Sequence, residues 1–168
     1  MGLRNIIRKY TNGPAELIMA STFTFDPIAF HYSPASIKVN YMTGLELSRK
    51  SAVTGFRGLF QDAGLNYSYV AYRQLENMPL DDYKIIVLPT SESLSNKEIK
   101  GLDSFVRNGG ILIANIVPGI YDQHGTPRAS NELLSIFGLK KQGAVVKENI
   151  VLKGIAGDLK GMEKGIDI

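Results

Sequence analysis

The sequence predicts an α/β domain, a flavodoxin- or Rossmann-like three-layer sandwich with a mostly parallel sheet, and three observations carry that expectation. The run Lys84 to Pro89 is almost wholly apolar, as a strand is when helices cover both faces of its sheet. Ser95-Asn96-Lys97-Glu98 then forms a capping box, in which Ser95 and Glu98 satisfy each other's backbone N–H groups. Ile99, Leu102, Phe105 and Val106 follow at helical spacing, Gly109-Gly110 stops the helix, and Ile111 to Val117 returns as a strand.

The other elements follow in chain order. Leu3 to Tyr10 reads as a short amphipathic helix with Ile6, Ile7 and Tyr10 on one side, ended by Thr11-Asn12-Gly13-Pro14. Leu17 to Phe25 is expected to be extended, and Ile28 to Tyr32 to form the first core strand. Ser33-Pro34-Ala35-Ser36 makes a turn and helix start, with Ile37, Tyr41, Met42 and Leu45 as the apolar positions of a short helix. A stronger helix from Arg49 to Ala63 should bury Val53, Phe56, Leu59 and Phe60 and stop at Gly64, before a second strand within Asn66 to Ala71. Such alternation needs crossovers, which are right-handed and give a parallel sheet. After Val117 come a break at Pro118-Gly119, a polar hairpin or excursion from Tyr121 to Arg128, and a short helix from Glu132 to Phe137 stopped by Gly138. Ala144-Val145-Val146 and Ile150-Val151-Leu152 read as strands ahead of a Gly-rich end.

Composition narrows the function classes. The 168 residues amount to about one domain, too few for a β/α barrel of about 250 residues. Absence of cysteine excludes disulfides, thiolate metal sites and a cysteine nucleophile, and fits either side of a membrane. The net charge of +3 is spread over scattered pairs such as Arg8-Lys9, Arg49-Lys50 and Lys140-Lys141. Nucleic acid needs a concentrated basic stripe, so that partner is not expected. Leu17 to Phe30 is interrupted by Glu16, Ser21, Thr22, Thr24, Asp26 and Pro27 at its edge or within it, short of the ~18 apolar residues of a membrane span.

Candidate ligand groups lie where parallel sheets place them, at the carboxyl ends of strands. Thr90, Ser91, Ser93 and Ser95 are hydroxyls ahead of a helix N-terminus, and Asn115 ends the next strand. Helix capping and loop solvation are the plainer reading of that cluster. His31, inside an apolar strand, reads as a hydrogen-bonded structural histidine; His124, two residues after Asp122, forms a pair able to orient an imidazole. Neither histidine has a nucleophile or a set of metal ligands beside it in the sequence, so no catalytic residue, metal site or cofactor is nominated. Ser91 lacks the Gly-x-Ser-x-Gly setting of a nucleophile elbow.

The ordered set of segments "IAFHYSPAS", "FRGLFQDAGLNYSYV", "LDDYKIIVLPTSESLSNKEIKGLDSFVRNGGILIANI", "YDQHGTPR" and "LLSIFGL" resembles the trimerisation domain of glycoside hydrolase family forty-two β-galactosidases, from about Pro27 to Leu139. That resemblance implies a degenerate class I glutamine amidotransferase-like fold, without catalysis of its own, downstream of a TIM barrel that holds the active site. The implied layout is a lead-in at residues 1–26, the amidotransferase-like domain at 27–142 and a C-terminal tail at 143–168. Self-association as a trimer is implied, with Tyr67, Tyr69 and Tyr121 as candidate interface aromatics. The amidotransferase nucleophile is a Cys on a strained elbow, which this chain lacks. In the family the acid/base Glu follows an Asn; Asn131-Glu132 repeats that dipeptide but opens a short helix, and reads as a cap and a first-turn acid. Thr90, Ser91, Asn115, Asp122 and His124 are the candidates for a carbohydrate or small-molecule site, the alternative to a scaffold role.

Overall fold

The computed structural model describes residues 2–140 apart from Phe23, Leu45, Ile116 and Val117, with only the backbone described for Lys9, Glu46, Leu47 and Ser48. The tail strands expected at 144–146 and 150–152 lie outside the described residues. The elements run α1 (Leu3–Thr11), α2 (Pro14–Ala20), β1 (Ile28–Tyr32), α3 (Pro34–Met42), α4 (Glu46–Asp62), β2 (Ser68–Ala71), α5 (Tyr72–Asn77), β3 (Ile85–Leu88), α6 (Asn96–Arg107), β4 (Ile111–Ala114) and α7 (Leu133–Ile136). The strands form one all-parallel sheet in the order β2-β1-β3-β4.

Strand alternation sorts the apolar residues into two layers. Ile28, Phe30 and Val87 point to one face, where Phe60 and the half-buried Phe56 of α4 cover them, with Tyr67 and Ile113 alongside. Ala29, Ile86, Leu88 and Val70 point to the other face, covered by Leu75 of α5, Ile99, Leu102 and Phe105 of α6, and Leu133 of α7. This is the expected three-layer sandwich. The expected capping box of α6 is present: Ser95 Oγ accepts from Glu98 N at 3.1 Å and Glu98 Oε2 from Ser95 N at 2.6 Å. Gly109, at φ +92°, ends that helix with a residue free of the left-handed penalty.

Four expectations change. Leu17–Ala20 is helical, because Pro14 presets φ at the start of α2, Glu16 favours its first turn, and the residues that follow are good helix formers. Tyr41 and Met42 are exposed, and α3 instead buries Ser36, Val39 and Asn40. Polar contacts set that rotation: Ser36 Oγ donates to Ser93 O at 2.9 Å, and Asn40 Nδ2 reaches Ser36 O at 2.5 Å and Thr90 O at 3.5 Å. Leu59 is exposed, since α4 meets the sheet through the one-turn pair Phe56 and Phe60 and leaves Leu59 on its flank. A helix unforeseen between β2 and β3, α5, begins where Gln74 Oε1 accepts from Ala71 N at 2.7 Å.

Candidate functional site

The strand order reverses between β1 and β3, so the carboxyl ends of these two strands frame the crevice where this architecture binds ligands. The chain after β3 turns sharply there. Thr90 has φ +54°, the one positive value at a non-glycine residue among those described, and its β-branched side chain makes that region costly. Three bonds hold it: Asn115 Oδ1 accepts its N–H at 2.8 Å, its Oγ1 donates to Pro89 O at 2.6 Å, and Asn40 reaches its carbonyl.

Next to this turn lies a hydrogen-bonded chain that spacing did not reveal. His31, at an inward position of β1, stands between Ser91 Oγ, 2.8 Å from Nδ1, and Glu98 Oε1, 3.0 Å from Nε2. Glu98 Oε2 is engaged by the Ser95 N–H. A carboxylate only accepts, so with Glu98 ionised the Nε2 atom carries the imidazole proton and Nδ1 is left to accept from the Ser91 hydroxyl. Ser91, His31 and Glu98 are each at most 5% exposed. The partners lie 60 and 67 residues apart, and Glu98 reads from sequence as a backbone cap alone. The spacing sets no histidine beside Ser91, and the fold brings His31 to it as a hydrogen-bond partner, while His31 is hydrogen-bonded as expected.

The loop after β4 covers this region. Gly119 N and Tyr121 N donate to Ser91 O and Glu92 O, both at 2.9 Å, and Leu94 N donates back to Tyr121 O at 3.1 Å. Ser93 Oγ donates to Asp122 O. Arg128 clamps the loop from outside, through Leu94 O and Asn96 Oδ1, each at 2.5 Å. Asp122 Oδ1 accepts the backbone N–H groups of His124 and Thr126 at 2.8 and 2.9 Å. Those bonds, that to Thr126 foremost, hold its carboxyl below the usual range. Asp122 thus shapes the turn; the expected pairing with the His124 imidazole is replaced by a bond to the His124 backbone. Asn131 Oδ1 accepts from Leu133 N at 3.2 Å and its Nδ2 donates to Pro118 O at 2.8 Å, as befits a helix start.

Two cavities open at the strand ends. The larger, about 680 Å³, is lined by Ser33, Lys38, Glu76, Tyr121, Gln123 and His124 among others. The smaller, about 440 Å³, has His31 and Ser91 on its wall, with Tyr32, Arg49, Val53 and Tyr69 around them. Of the sequence candidates, Thr90, Ser91 and Asn115 gather at the strained turn, while Asp122 and His124 belong to the covering loop. Tyr69 is 51% exposed on the edge strand β2. Tyr67 packs its ring 4.5 Å from that of Phe30, and Tyr121 is bridged on both sides, to Ser93 and Pro127. Among the described residues no group of three or more His, Asp or Glu stands at metal-binding distances, and no helix is long and apolar enough to cross a membrane.

Asn40 Oδ1 is one buried oxygen without a hydrogen-bond partner among the described residues, and the costlier case is Glu92. It is fully buried, and neither carboxylate oxygen has a hydrogen-bond partner among the described residues. Burial pushes its carboxyl above the ordinary value of 4.5. With the folded value raised, the native state prefers the proton. Its favourable contribution is therefore complete below the unfolded value and is lost as pH rises through the folded one. Glu92→Gln should accordingly raise stability by about 1 kcal/mol at pH 8 and change it little at pH 4, read from urea midpoints at the two pH values.

A doubly wound α/β domain with a crevice at the switch point is the class that fold and site define. The family model described as the β-galactosidase trimerisation domain matches residues 38–142, and the chain belongs to that family. Among solved structures, the β-galactosidase from Bifidobacterium adolescentis is similar with a TM-score of 0.59 and 23% identity, over 69% of this chain and 56% of that one. The chain thus spans just over half the length of that relative. A GH42 exo-carrageenase from Bacteroides ovatus is similar at a TM-score of 0.45 and 14% identity, over 70% of this chain and 15% of that one. A search of curated protein sequences finds no match.

Proposed function

We propose that this chain is the assembly domain of a larger β-galactosidase-like glycoside hydrolase, that it self-associates as a trimer, and that it takes no part in glycoside cleavage. The family match over 38–142 carries this reading. Retaining cleavage needs two carboxylates about 5 Å apart at the sugar, which the reading assigns to an upstream TIM barrel. Residues 1–26 are then the lead-in from that barrel, 27–142 the assembly domain and 143–168 a tail. In support of the lead-in, α1 and α2 leave Leu3, Ile7, Tyr10, Leu17, Ile18 and Met19 exposed, a degree of apolar exposure typical of surfaces that meet a neighbour. Tyr69 is the interface candidate whose ring is most available. Neither nucleic acid nor membrane is a partner in this account.

The test is sedimentation of the parent enzyme with and without residues 27–142. Loss of the trimer on deletion is the expected result; a trimer that survives deletion refutes the assignment. The larger cavity favours a second reading, a carbohydrate or small-molecule module on the same fold. Its wall mixes donors and acceptors, Lys38, Ser33, Glu76, Gln123 and His124, with His124 the one sequence candidate for a ligand among its lining residues. That reading requires a sugar to raise the melting temperature of this domain in a concentration-dependent way.

A further inference from the structure

We infer that Ser91 is a base-assisted nucleophile able to take an acyl group from a small, apolar activated ester, an activity separate from glycoside cleavage and independent of the assembly role. Three observations converge on it. With Glu98 ionised and the imidazole neutral, hydrogen-bond bookkeeping sets the direction of the chain: the Ser95 N–H occupies one oxygen of Glu98, the other faces His31 Nε2 at 3.0 Å, and Nδ1 is left as the acceptor 2.8 Å from Ser91 Oγ. A hydroxyl that donates to a neutral imidazole nitrogen keeps its oxygen lone pairs free for attack. The residue before it, Thr90, is held at φ +54° by bonds from Asn115 and Asn40, and imposed strain of this kind concentrates at reactive sites. Ser91 and His31 share the wall of the 440 Å³ cavity at the switch point between β1 and β3.

The cavity's composition selects the substrate. Phe30, Ile37, Val53, Tyr69 and Pro89 give it an apolar body, and Arg49 adds a cation with no ion-pair partner among the described residues. A short acyl or aryl ester suits that lining, whereas a sugar would strand its hydroxyls against it. In the reaction Ser91 Oγ forms the new bond to the acyl carbon while its proton passes to His31 Nδ1. The carbonyl then re-forms, the bond from the acyl carbon to the ester oxygen breaks, and that oxygen leaves as phenolate or takes the proton back from His31. Glu98 touches neither the ester nor the moving acyl group; it is a positioning residue that holds the Nε2 proton and stabilises the imidazolium.

The experiment uses the whole chain with p-nitrophenyl acetate and, separately, an alkyl fluorophosphonate, which forms an Oγ–P bond as fluoride leaves. Expected is a stoichiometric burst of p-nitrophenolate and a single adduct, mapped by peptide mass spectrometry to Ser91. Ser91→Ala should abolish the adduct, and His31→Gln should slow its formation about 100-fold, the lower end of what a positioned base supplies. Circular dichroism melts establish that each variant is folded. Glu98→Gln should lower the limiting labelling rate while leaving the half-saturating ester concentration unchanged, a split that simple loosening of the domain does not produce. An unlabelled wild-type chain overturns the inference, as does an adduct on any other residue. Equal labelling of folded His31→Gln overturns it as well. The wild-type adduct map stands even where a variant fails to fold.

Discussion

Replacing His31 by Ala is expected to destabilise the domain by about 3 kcal/mol, the upper end of the cost of leaving a buried group without its hydrogen-bond partner, as fits an acceptor that is a carboxylate. Glu98 is 2% exposed, and its Oε1 would lose the partner 3.0 Å away while remaining out of water. The Ser91 hydroxyl would lose its acceptor at the same moment. An apolar filling of the space does not repair this, because the cost lies in the groups left behind. Glu98→Gln should therefore be much less harmful in the His31→Ala background than alone, with a coupling on the order of 1–3 kcal/mol in a double-mutant cycle. Urea midpoints at unchanged slope are the measurement. Additive losses would show that the two side chains do not act together.

Gly101→Ala is expected to cost about 2 kcal/mol although it places a better helix former inside α6. An added Cβ would stand 2.4 Å from the carbonyl oxygen of Leu75, which is backbone and cannot swing aside. The helices α5 and α6 must then separate, at a cost near 3 kcal/mol for overpacking, against about 1 kcal/mol recovered from helix propensity. Both helices bury their apolar residues in the same core layer, with Leu75 and Leu102 nearly inaccessible, so separation loosens that whole face of the sheet. The same substitution at Gly55 or Gly58 in α4, where an added Cβ meets nothing within 4 Å, should be neutral or mildly stabilising. Thermal melts of the three variants side by side separate the two effects.

What the sequence made legible follows from which interactions are local. The β3–α6–β4 segment was readable because apolar runs, a capping box and a glycine stop all act within a few residues. So were the turn at Ser33 and the stop at Gly64, φ +68° in the structure. The face of α3 was not readable, because Ser93 and Thr90, 57 and 50 residues beyond their partners, rotate Ser36 and Asn40 inward against the pull of Tyr41 and Met42. The helix α2 escaped because Leu17 to Met19 can read as strand or helix when the run is short. At the site, Thr90, Ser91 and Asn115 were found through the rule that ligands gather at strand ends. The union of Ser91, His31 and Glu98 had no local signature, since β1, the β3–α6 turn and the first turn of α6 meet only in the folded sheet.

The assembly role rests on this domain holding its contacts itself. Multi-angle light scattering of this chain across a concentration series measures that without reference to any barrel. The account predicts a molar mass that rises to three times 18.4 kDa as concentration increases. A mass that stays at one chain throughout the series would contradict it.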